Sequence, residues 1–250
     1  MGKRSYLRRY THLESLRNIL CTKSLTLLDY RGWDDKNDSC FLRLYREERK
    51  LESLLALCFT RASERFHFWH VFCPHDVSSI AKAMPHLNCG SYKSHSPLTR
   101  IGVRIRFDRA KLVQALRRCE GVACRNIDYM THGQLETLAN ERRGTDPLSK
   151  LPFIKRFGFR DEREFRIIYE SKTASLSTKS VPIPLSCIDR IIFSYKLDYS
   201  IYRALRSELR SLDGCEELNI QRSRLTDSKT WRAAGEKLVQ NARGISTSTP

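Results

Sequence analysis

Short strand-like and helix-like segments follow one another along this chain without the regular β-α-β-α order that builds a doubly wound parallel sheet. Period-2 alternation or short apolar runs mark residues 6–10, 23–27, 55–60, 101–107, 163–169, 188–193 and 217–221 as strands. Apolar residues recur at helical spacing in residues 12–20, 41–55, 109–118, 133–143 and 199–212. The irregular order predicts an α+β fold with mixed short strands and flanking helices.

The chain of 250 residues is long enough to bury one sizeable core, and we predict a single α+β domain over residues 1–240. Residues 73–100 are interrupted by Pro and Gly and contain many Ser and His, so they are predicted to form an irregular insertion. Residues 241–250 end in Ser-Thr-Ser-Thr-Pro and are predicted to be a disordered tail.

No apolar run approaches the roughly 18 residues that a membrane-spanning helix needs. The basic first residues are not followed by the apolar core of a secretory signal, and the nine cysteines are scattered without a C-x-x-C pair. We therefore predict a cytoplasmic protein with free thiols, no disulfides and no membrane contact.

The net charge of +17 favours association with a polyanion, because each neutralised phosphate releases counterions. The alternative is that Lys and Arg only solubilise the surface. The charge is concentrated from Arg100 to Arg125, where eight basic side chains stand against Asp108 and Glu120. A period-2 strand in this stretch predicts a basic outer face, and a basic helix follows it. The candidate nucleic-acid contacts are Arg104, Arg106, Arg109, Lys111, Arg117 and Arg118.

The most suggestive chemical pattern is the acidic pair Glu162 and Glu164, which is followed by Arg166. If these residues lie in one strand, the two carboxylates share a face and stand roughly 7 Å apart. Such a pair suits a site that stabilises a developing cation or takes up a proton, because like charges and a flanking Arg push the two pKa values apart. The alternative is an exposed ladder of charges on a sheet face.

Other site signatures are weak. His67, His70, Cys73 and His75 lie close together, but their spacing matches no established zinc pattern, and we predict no metal site. The sequence contains no P-loop, dinucleotide-binding, zinc-protease or nucleophile-elbow motif. No cysteine and histidine pair is singled out for nucleophilic catalysis.

Six short segments nevertheless occur in a recognisable order. They are Arg8-Arg9-Tyr10-Thr11, Asn37-Asp38-Ser39, Cys58-Phe59-Thr60, Phe68-Trp69-His70-Val71-Phe72, Gly102-Val103-Arg104-Ile105-Arg106-Phe107 and Glu162-Arg163-Glu164-Phe165-Arg166. Together they resemble the pattern of the bacterial domain-of-unknown-function family 2971 over about residues 6–195. The departures are Ser39 for Pro, Phe165 for Trp, and a longer stretch between Trp69 and Gly102.

A more distant resemblance concerns function. The order of Arg9 on the first strand, Leu13-Glu14-Ser15-Leu16 on a helix, Thr60 on a middle strand and a late Glu162-Arg163-Glu164 is similar to the R-S-E class of ADP-ribosyltransferases. This resemblance implies NAD bound in a cleft between two small sheets. A role as a bacterial toxin or phage-defence effector would suit such an enzyme, although no single residue indicates it.

The resemblance also implies roles for individual residues. Arg9 would contact the phosphate or ribose of NAD, and Thr60 would brace the catalytic carboxylate. Glu164 would stabilise an oxocarbenium-like transition state while Glu162 orients the acceptor. The remaining residues expected at the NAD site are Tyr10, Trp69, Arg166, Asn37 and Asp38.

Two other classes of function remain open from the sequence. A protein that binds or cleaves nucleic acid could use its basic surface and the acidic loop Asp34, Asp35, Asn37 and Asp38. Against a metal nuclease, the chain lacks a Pro-Asp pair followed by E-x-K. The other class is a regulatory or interaction protein in which the acidic pair is structural.

Overall fold

The structure is a computed structural model that describes residues 4–72, 101–140 and 146–246. Its strands are β1 (Tyr6–His12), β2 (Ser24–Asp29), β3 (Ser53–Thr60), β4 (Gly102–Asp108), β5 (Val122–Asn126), β6 (Asp128–Met130), β7 (Ile154–Arg156), β8 (Glu164–Ser171), β9 (Thr178–Pro182), β10 (Ile188–Phe193) and β11 (Ile220–Arg222). Its helices are α1 (Leu13–Thr22), α2 (Lys36–Glu48), α3 (Phe66–Phe72), α4 (Arg109–Leu116), α5 (His132–Asn140), α6 (Tyr199–Arg210) and α7 (Lys229–Ser246).

Within the described ranges, nine strands form one mixed sheet and two form a small parallel sheet. The large sheet has the order β11-β10-β4-β1-β3-β2-β9, with β8 on the other edge of β3 and β5 beyond it. The small sheet pairs β6 with β7. This arrangement confirms the predicted α+β class.

Strand β3 is the branch point of the large sheet. One of its edges pairs with β8 along the whole strand. The other edge pairs with β1 only at Thr60, opposite Arg8, and with β2 at Leu55 and Ala56. Strands β1 and β2 therefore diverge along residues 57–59, and the sheet is split there. The resemblance implied a cleft between two small sheets, whereas this opening is a split within one sheet, because β3 joins both halves.

Helices cover both faces of the sheet, because neighbouring residues of a strand point to opposite sides. Leu57 packs in a large apolar cluster with side chains of α1, α4 and α6, such as Leu16 and Leu205. Ala56 packs in a smaller cluster with Leu42 of α2. The core on each side holds β3 rigidly, so the walls of the split are well fixed.

Helix α2 begins at Lys36, five positions before the helix predicted at residue 41. The Asp35 side chain caps it by accepting hydrogen bonds from the backbone N–H groups of Asn37 and Asp38. Such a cap contributes about 1 kcal/mol to helix stability. The predicted acidic loop is therefore partly a helix cap, and the cap fixes the position of Asp38 in the first turn.

The predicted basic outer face of β4 is wrong for Arg104 and Arg106. Arg104 is only 5% exposed and pairs with Glu64 at 3.2 Å. Arg106 is half-buried, pairs with Asp189 and stacks over the ring of Tyr6. A charged period-2 face appears exposed in the sequence, but here the Arg104 guanidinium lies 5.9 Å from the ring centroid of Tyr10 on β1. Tyr10 belongs to a small buried cluster with Phe68 and Trp69 of α3.

The other candidate nucleic-acid contacts lie on and after α4. Arg109 is half-buried, with its guanidinium 5.4 Å from the ring centroid of Phe165. Lys111, Arg117 and Arg118 are exposed. Only these three retain the accessibility that contact with a phosphate backbone requires.

Helix α7 ends at Ser246, so residues 241–246 of the predicted disordered tail are helical. Residues 247–250 and the predicted insertion at 73–100, with its Cys73 and His75, lie outside the described residues. Among the described helices, none combines the length and apolar character that crossing a membrane requires.

Candidate active site

A cavity of about 430 Å³ opens where the large sheet is split between β1 and β2. We call it the cleft. Ligand pockets typically measure roughly 300–1,000 Å³. Charged and polar side chains converge on the cleft from β1, β3, the start of α2 and the segments around β7 and β8. They include Arg8, Arg9, Tyr10, Asp34, Asp35, Asp38, Cys58, Thr60, Lys155, Glu162 and Glu164.

Arg8, Thr60 and Glu164 lie side by side across β1, β3 and β8. Thr60 is directly opposite Arg8 on one neighbouring strand and directly opposite Glu164 on the other. Residues opposed in this way share one face of the sheet, with Cβ atoms roughly 5 Å apart. A cation, a hydroxyl and a carboxylate are thus aligned along one wall of the cleft.

The sequence singled out Arg9, whereas the strand register brings its neighbour Arg8 into this row. Arg9 starts from the opposite face of β1, because successive residues of a strand alternate. Its guanidinium donates a 3.0 Å hydrogen bond to the Cys58 carbonyl and thereby bridges the split. Arg8 could be found only from the pairing of β1 with β3, which the sequence does not reveal.

The Glu164 carboxylate is buried and surrounded by donors. Its Oε1 accepts a 2.7 Å hydrogen bond from Arg166 Nε, and its Oε2 lies 3.4 Å from Lys155 Nζ. Burial on its own raises the pKa of Glu164, but the charges of Arg166 and Lys155 outweigh it and hold that pKa below its ordinary value. An ionised carboxylate therefore faces the cleft.

Glu162 and Glu164 both contact Lys155, but their pKa values are shifted in opposite directions. Lys155 Nζ is 2.8 Å from Glu162 Oε2, and only 10% of the Lys155 side chain is exposed. Burial raises the pKa of Glu162 above its ordinary value, and the charge of Glu164 adds to this although Lys155 opposes it. Two neighbouring carboxylates with divergent pKa values are a recurrent arrangement of acid–base sites.

The sequence did not identify Lys155. It comes from β7, a strand of three residues that is too short to show a hydrophobic period. Its ammonium also lies 3.8 Å from Asp38, so one buried cation contacts three carboxylates. Two of these three acidic groups form the predicted acidic pair.

The condition for Glu162 and Glu164 to share one strand face is not met, because β8 begins at Glu164. Glu162 ends a 3₁₀ helix, and Arg163 then adopts a left-handed backbone conformation with φ of 47°. Such a conformation costs a non-glycine residue about 1–2 kcal/mol. The Thr60 hydroxyl donates to the Glu162 carbonyl and holds this turn. The turn at Arg163, and not the alternation of a strand, brings the two carboxylates close together.

Arg166 lies beneath the cleft wall with no exposed surface. Its NH1 and NH2 donate to the two carboxylate oxygens of Asp38 at 2.7 and 2.6 Å, and NH1 also donates to the Pro152 carbonyl. Nε donates to Glu164. These contacts make Arg166 a residue that positions Glu164 and Asp38, and they leave no exposed donor for a bound cofactor.

The other predicted cofactor contacts are dispersed. Tyr10 lines the cleft and makes an edge-to-face contact with Trp69 at 5.0 Å between ring centroids. Trp69 is buried, and its indole N–H donates a 3.0 Å hydrogen bond to the Glu64 carboxylate. Its ring packs against Tyr10 without lining the cleft. Asn37 is exposed and lines a second cavity beside the cleft. The structure therefore brings Tyr10 and Asp38 to the cleft and keeps Trp69 and Asn37 outside it.

The lowered pKa of Glu164 predicts how stability depends on pH. Above the ordinary pKa of 4.5, Glu164 is ionised in both folded and unfolded chains, and its stabilisation by Arg166 and Lys155 is fully present. As the pH falls through the lower folded-state pKa, that stabilisation is lost. We expect the unfolding free energy of wild type minus that of Glu164→Gln to shrink on acidification.

Urea unfolding of both proteins between neutral pH and pH about 3 measures this difference. A difference that stays constant over this range, or grows as the pH falls, would contradict the lowered pKa of Glu164.

Two of the acidic residues considered for a nuclease, Asp35 and Asp38, have structural partners. Asp35 caps α2, and Asp38 pairs with Arg166. In the part of the chain that the structure describes, no group of three or more His, Cys, Asp or Glu is arranged to hold a metal ion.

No family model matches the chain, so membership of the domain-of-unknown-function family 2971 stays a prediction. No curated protein matches it either. Two similar solved structures are of DarT from Thermus sp. 2.9. The one in complex with NAD+ is 8% identical, with a TM-score of 0.39, and covers 89% of this chain and 96% of its own. The one in complex with ADP-ribosylated ssDNA is 11% identical, with a TM-score of 0.40, and covers 89% of this chain and 95% of its own.

Proposed function

We propose that this chain is an NAD-dependent ADP-ribosyltransferase whose reaction takes place in the cleft. The observation that carries the proposal is the ionised Glu164 carboxylate, aligned with Thr60 and Arg8 on one wall. A fixed negative charge stabilises a cationic transition state most effectively where water is largely excluded. The cleavage of a glycosidic bond develops such a cation at the anomeric carbon.

In the proposed reaction, the bond between nicotinamide and C1′ of its ribose breaks, and nicotinamide leaves with the bonding electrons. Glu164 stabilises the oxocarbenium-like C1′ and accepts a hydrogen bond from the ribose hydroxyl. An acceptor nucleophile then attacks C1′, and its proton passes to the Glu162 carboxylate or to solvent. The raised pKa of Glu162 suits a group that takes up this proton.

Arg8 is the residue we propose for the diphosphate of NAD. Its guanidinium lines the cleft, and its hydrogen bonds go to the carbonyl oxygens of Tyr6 and Arg61. Among the described residues, no carboxylate forms an ion pair with it. Arginine presents a planar fork that matches phosphate oxygens, so an unpaired Arg8 at the cleft is well suited to bind them.

The experiment that tests the function is NAD turnover by the purified protein, with released nicotinamide as the readout. Reactions without acceptor report hydrolysis, and reactions with total cellular nucleic acid or protein report transfer. Release of nicotinamide, with ADP-ribose on water or on an acceptor, supports the proposal. Absence of both NAD binding and NAD cleavage in every mixture overturns it.

The Arg8→Gln variant is expected to raise the KM for NAD by about 10- to 100-fold, because a charge-assisted hydrogen bond contributes about 1.5–3 kcal/mol. The kcat should change less, since Arg8 is distant from the glycosidic bond in this proposal. Arg203→Gln, on the exposed side of α6, is the matched control and should leave KM unchanged. Equal KM values for both variants would remove Arg8 from the NAD site.

A second candidate function is binding of nucleic acid, and the exposed cations Lys111, Arg117 and Arg118 favour it. They belong to a chain of net charge +17, so binding should weaken steeply as salt is raised. The two functions are compatible, because an ADP-ribosyltransferase with such a surface could modify nucleic acid. The role of a bacterial toxin or phage-defence effector stays a prediction.

A further inference from the structure

Helix α7 carries large apolar side chains that face solvent. Trp231 is 81% exposed, Leu238 71% and Val239 51%, and none of the three belongs to the apolar clusters of the described core. The Ser228 hydroxyl accepts a 3.2 Å hydrogen bond from the Trp231 backbone N–H and fixes the first turn of the helix. Single exposed apolar residues are common on proteins, but a row of them on one helix face indicates an interaction surface.

The row follows the helical period of 3.6 residues and forms a narrow stripe. The positions of this stripe are Trp231, Ala234, Leu238, Ala242 and Ile245. They fall within a sector of about 80° around the helix axis. All the charged residues of α7 fall outside this sector. Another apolar surface can therefore pack on the stripe without burying a charge.

The stripe has the same pattern in both chain directions. Leu238 lies at its centre, an alanine lies four positions away on each side, and a large apolar residue lies seven positions away on each side. A second α7 that runs antiparallel, with the two Leu238 residues opposed, places Ala234 opposite Ala242 and Trp231 opposite Ile245. Each contact then occurs twice, which is the property of the isologous interface in a twofold-symmetric dimer.

The area that two such helices can bury fits a reversible dimer. Each helix has 18 residues and is about 27 Å long. With one exposed tryptophan on each helix, the two faces together can bury roughly 800–1,000 Å². Interfaces below about 1,200 Å² are typical of transient association. We therefore expect a dissociation constant in the micromolar range.

We propose that α7 is a dimerisation surface whose occupant is α7 of a second copy of this chain, packed antiparallel about Leu238. The surface is separate from the proposed NAD reaction, since no residue of α7 lines the cleft. The net charge of +17 on each copy opposes the approach of two chains, and salt screens this repulsion. Dimerisation should therefore strengthen as salt is raised, whereas binding of α7 to an anionic partner would weaken.

The test is the mass of the full chain in solution, measured by sedimentation velocity from about 1 to 100 µM protein. The series is run at about 0.15 and 0.5 M salt. Nucleic acid is removed beforehand, because a bound strand could bridge two basic chains. The variant is Leu238→Lys, which places two ammonium groups at the twofold axis. The matched control is Leu44→Lys, the same substitution of a leucine that is 42% exposed on α2.

We expect the wild type and Leu44→Lys to change from monomer to dimer as the concentration rises, and to do so at lower concentration in the higher salt. Leu238→Lys should raise the dissociation constant by at least about 30-fold, because it buries two like charges in an apolar contact. Circular dichroism should show the same helix content in all three proteins, since Leu238 is exposed in the single chain.

Three outcomes would overturn the proposal. The first is a wild type that stays monomeric at every concentration and both salt levels. The second is a dimer that persists in Leu238→Lys, because it would use another surface. The third is a dimer that dissociates as salt is raised, because an anionic bridge would hold it. None of these measurements depends on nicotinamide release, so a failure of the proposed function leaves this test unchanged.

Discussion

Replacing Glu164 with glutamine is expected to lower nicotinamide release from NAD by at least about 100-fold, the effect of removing one preorganised electrostatic group. Glutamine keeps the size of the side chain and an oxygen that can accept from Arg166. It removes the negative charge that faces the developing cation at C1′. The measurement is kcat for nicotinamide release, with thermal unfolding run in parallel to show that the variant is folded.

The matched control is Glu170→Gln, the same substitution on the same strand. Glu170 accepts a 2.9 Å hydrogen bond from the Tyr45 hydroxyl and does not line the cleft. Its replacement should leave nicotinamide release within about twofold of wild type, since it removes no charge from the site. A folded Glu164→Gln protein that retains wild-type release would show that the acidic pair is structural.

The Glu162→Gln variant distinguishes the role of Glu162 from that of Glu164. Because Glu162 is assigned to the acceptor, its replacement should reduce transfer more than hydrolysis, whereas Glu164→Gln reduces both. An equal loss of both reactions in Glu162→Gln would mean that Glu162 acts mainly by holding Lys155 beside Glu164.

The strands that form the site could be predicted because their patterns are local. The apolar run that became β3 and the mixed run that became β8 each appear in a short window of sequence. Glu164 was recognised as a candidate from the acidic pair, and Thr60 only from the resemblance to ADP-ribosyltransferases. Their direct opposition across β3 and β8 is a tertiary fact, and the sequence supported it only through a resemblance.

Residues that depend on register or on very short elements could not be predicted. The choice between Arg8 and Arg9 depends on which residue of β1 lies opposite Thr60, and a shift of one position exchanges the two faces. Lys155 and the turn at Arg163 belong to segments with no periodic signal. Tertiary packing alone brings them to the acidic pair.

The charge patterns of the sequence led us to overestimate how exposed two arginine side chains are. Arg104 was predicted on an exposed strand face and Arg166 at the NAD site, so both were expected to be accessible, as most arginines are. Each is instead buried against a carboxylate supplied by a distant segment, Glu64 in one case and Asp38 in the other. A buried arginine becomes recognisable only when its partner is known.

Replacing Arg166 with methionine is expected to lower the unfolding free energy by about 3–5 kcal/mol, the effect of removing one partner of a buried ion pair. Arg166 is the common partner of Asp38 and Glu164, so the variant leaves both carboxylates with only Lys155 for compensation. Methionine fills much of the same volume, so the loss reports charge more than packing. Urea unfolding at neutral pH measures it.

The matched control for Arg166→Met is Arg43→Met, which breaks an exposed ion pair between Arg43 and Glu47 on α2. That change should lower stability by no more than about 0.5 kcal/mol, because solvent screens exposed pairs. Adding Asp38→Asn to Arg166→Met should recover part of the stability by removing one of the two carboxylate charges that then share only Lys155. If Arg166→Met unfolds at the same urea concentration as Arg43→Met, the buried network does not hold Glu164 in place, and another feature must position its carboxylate.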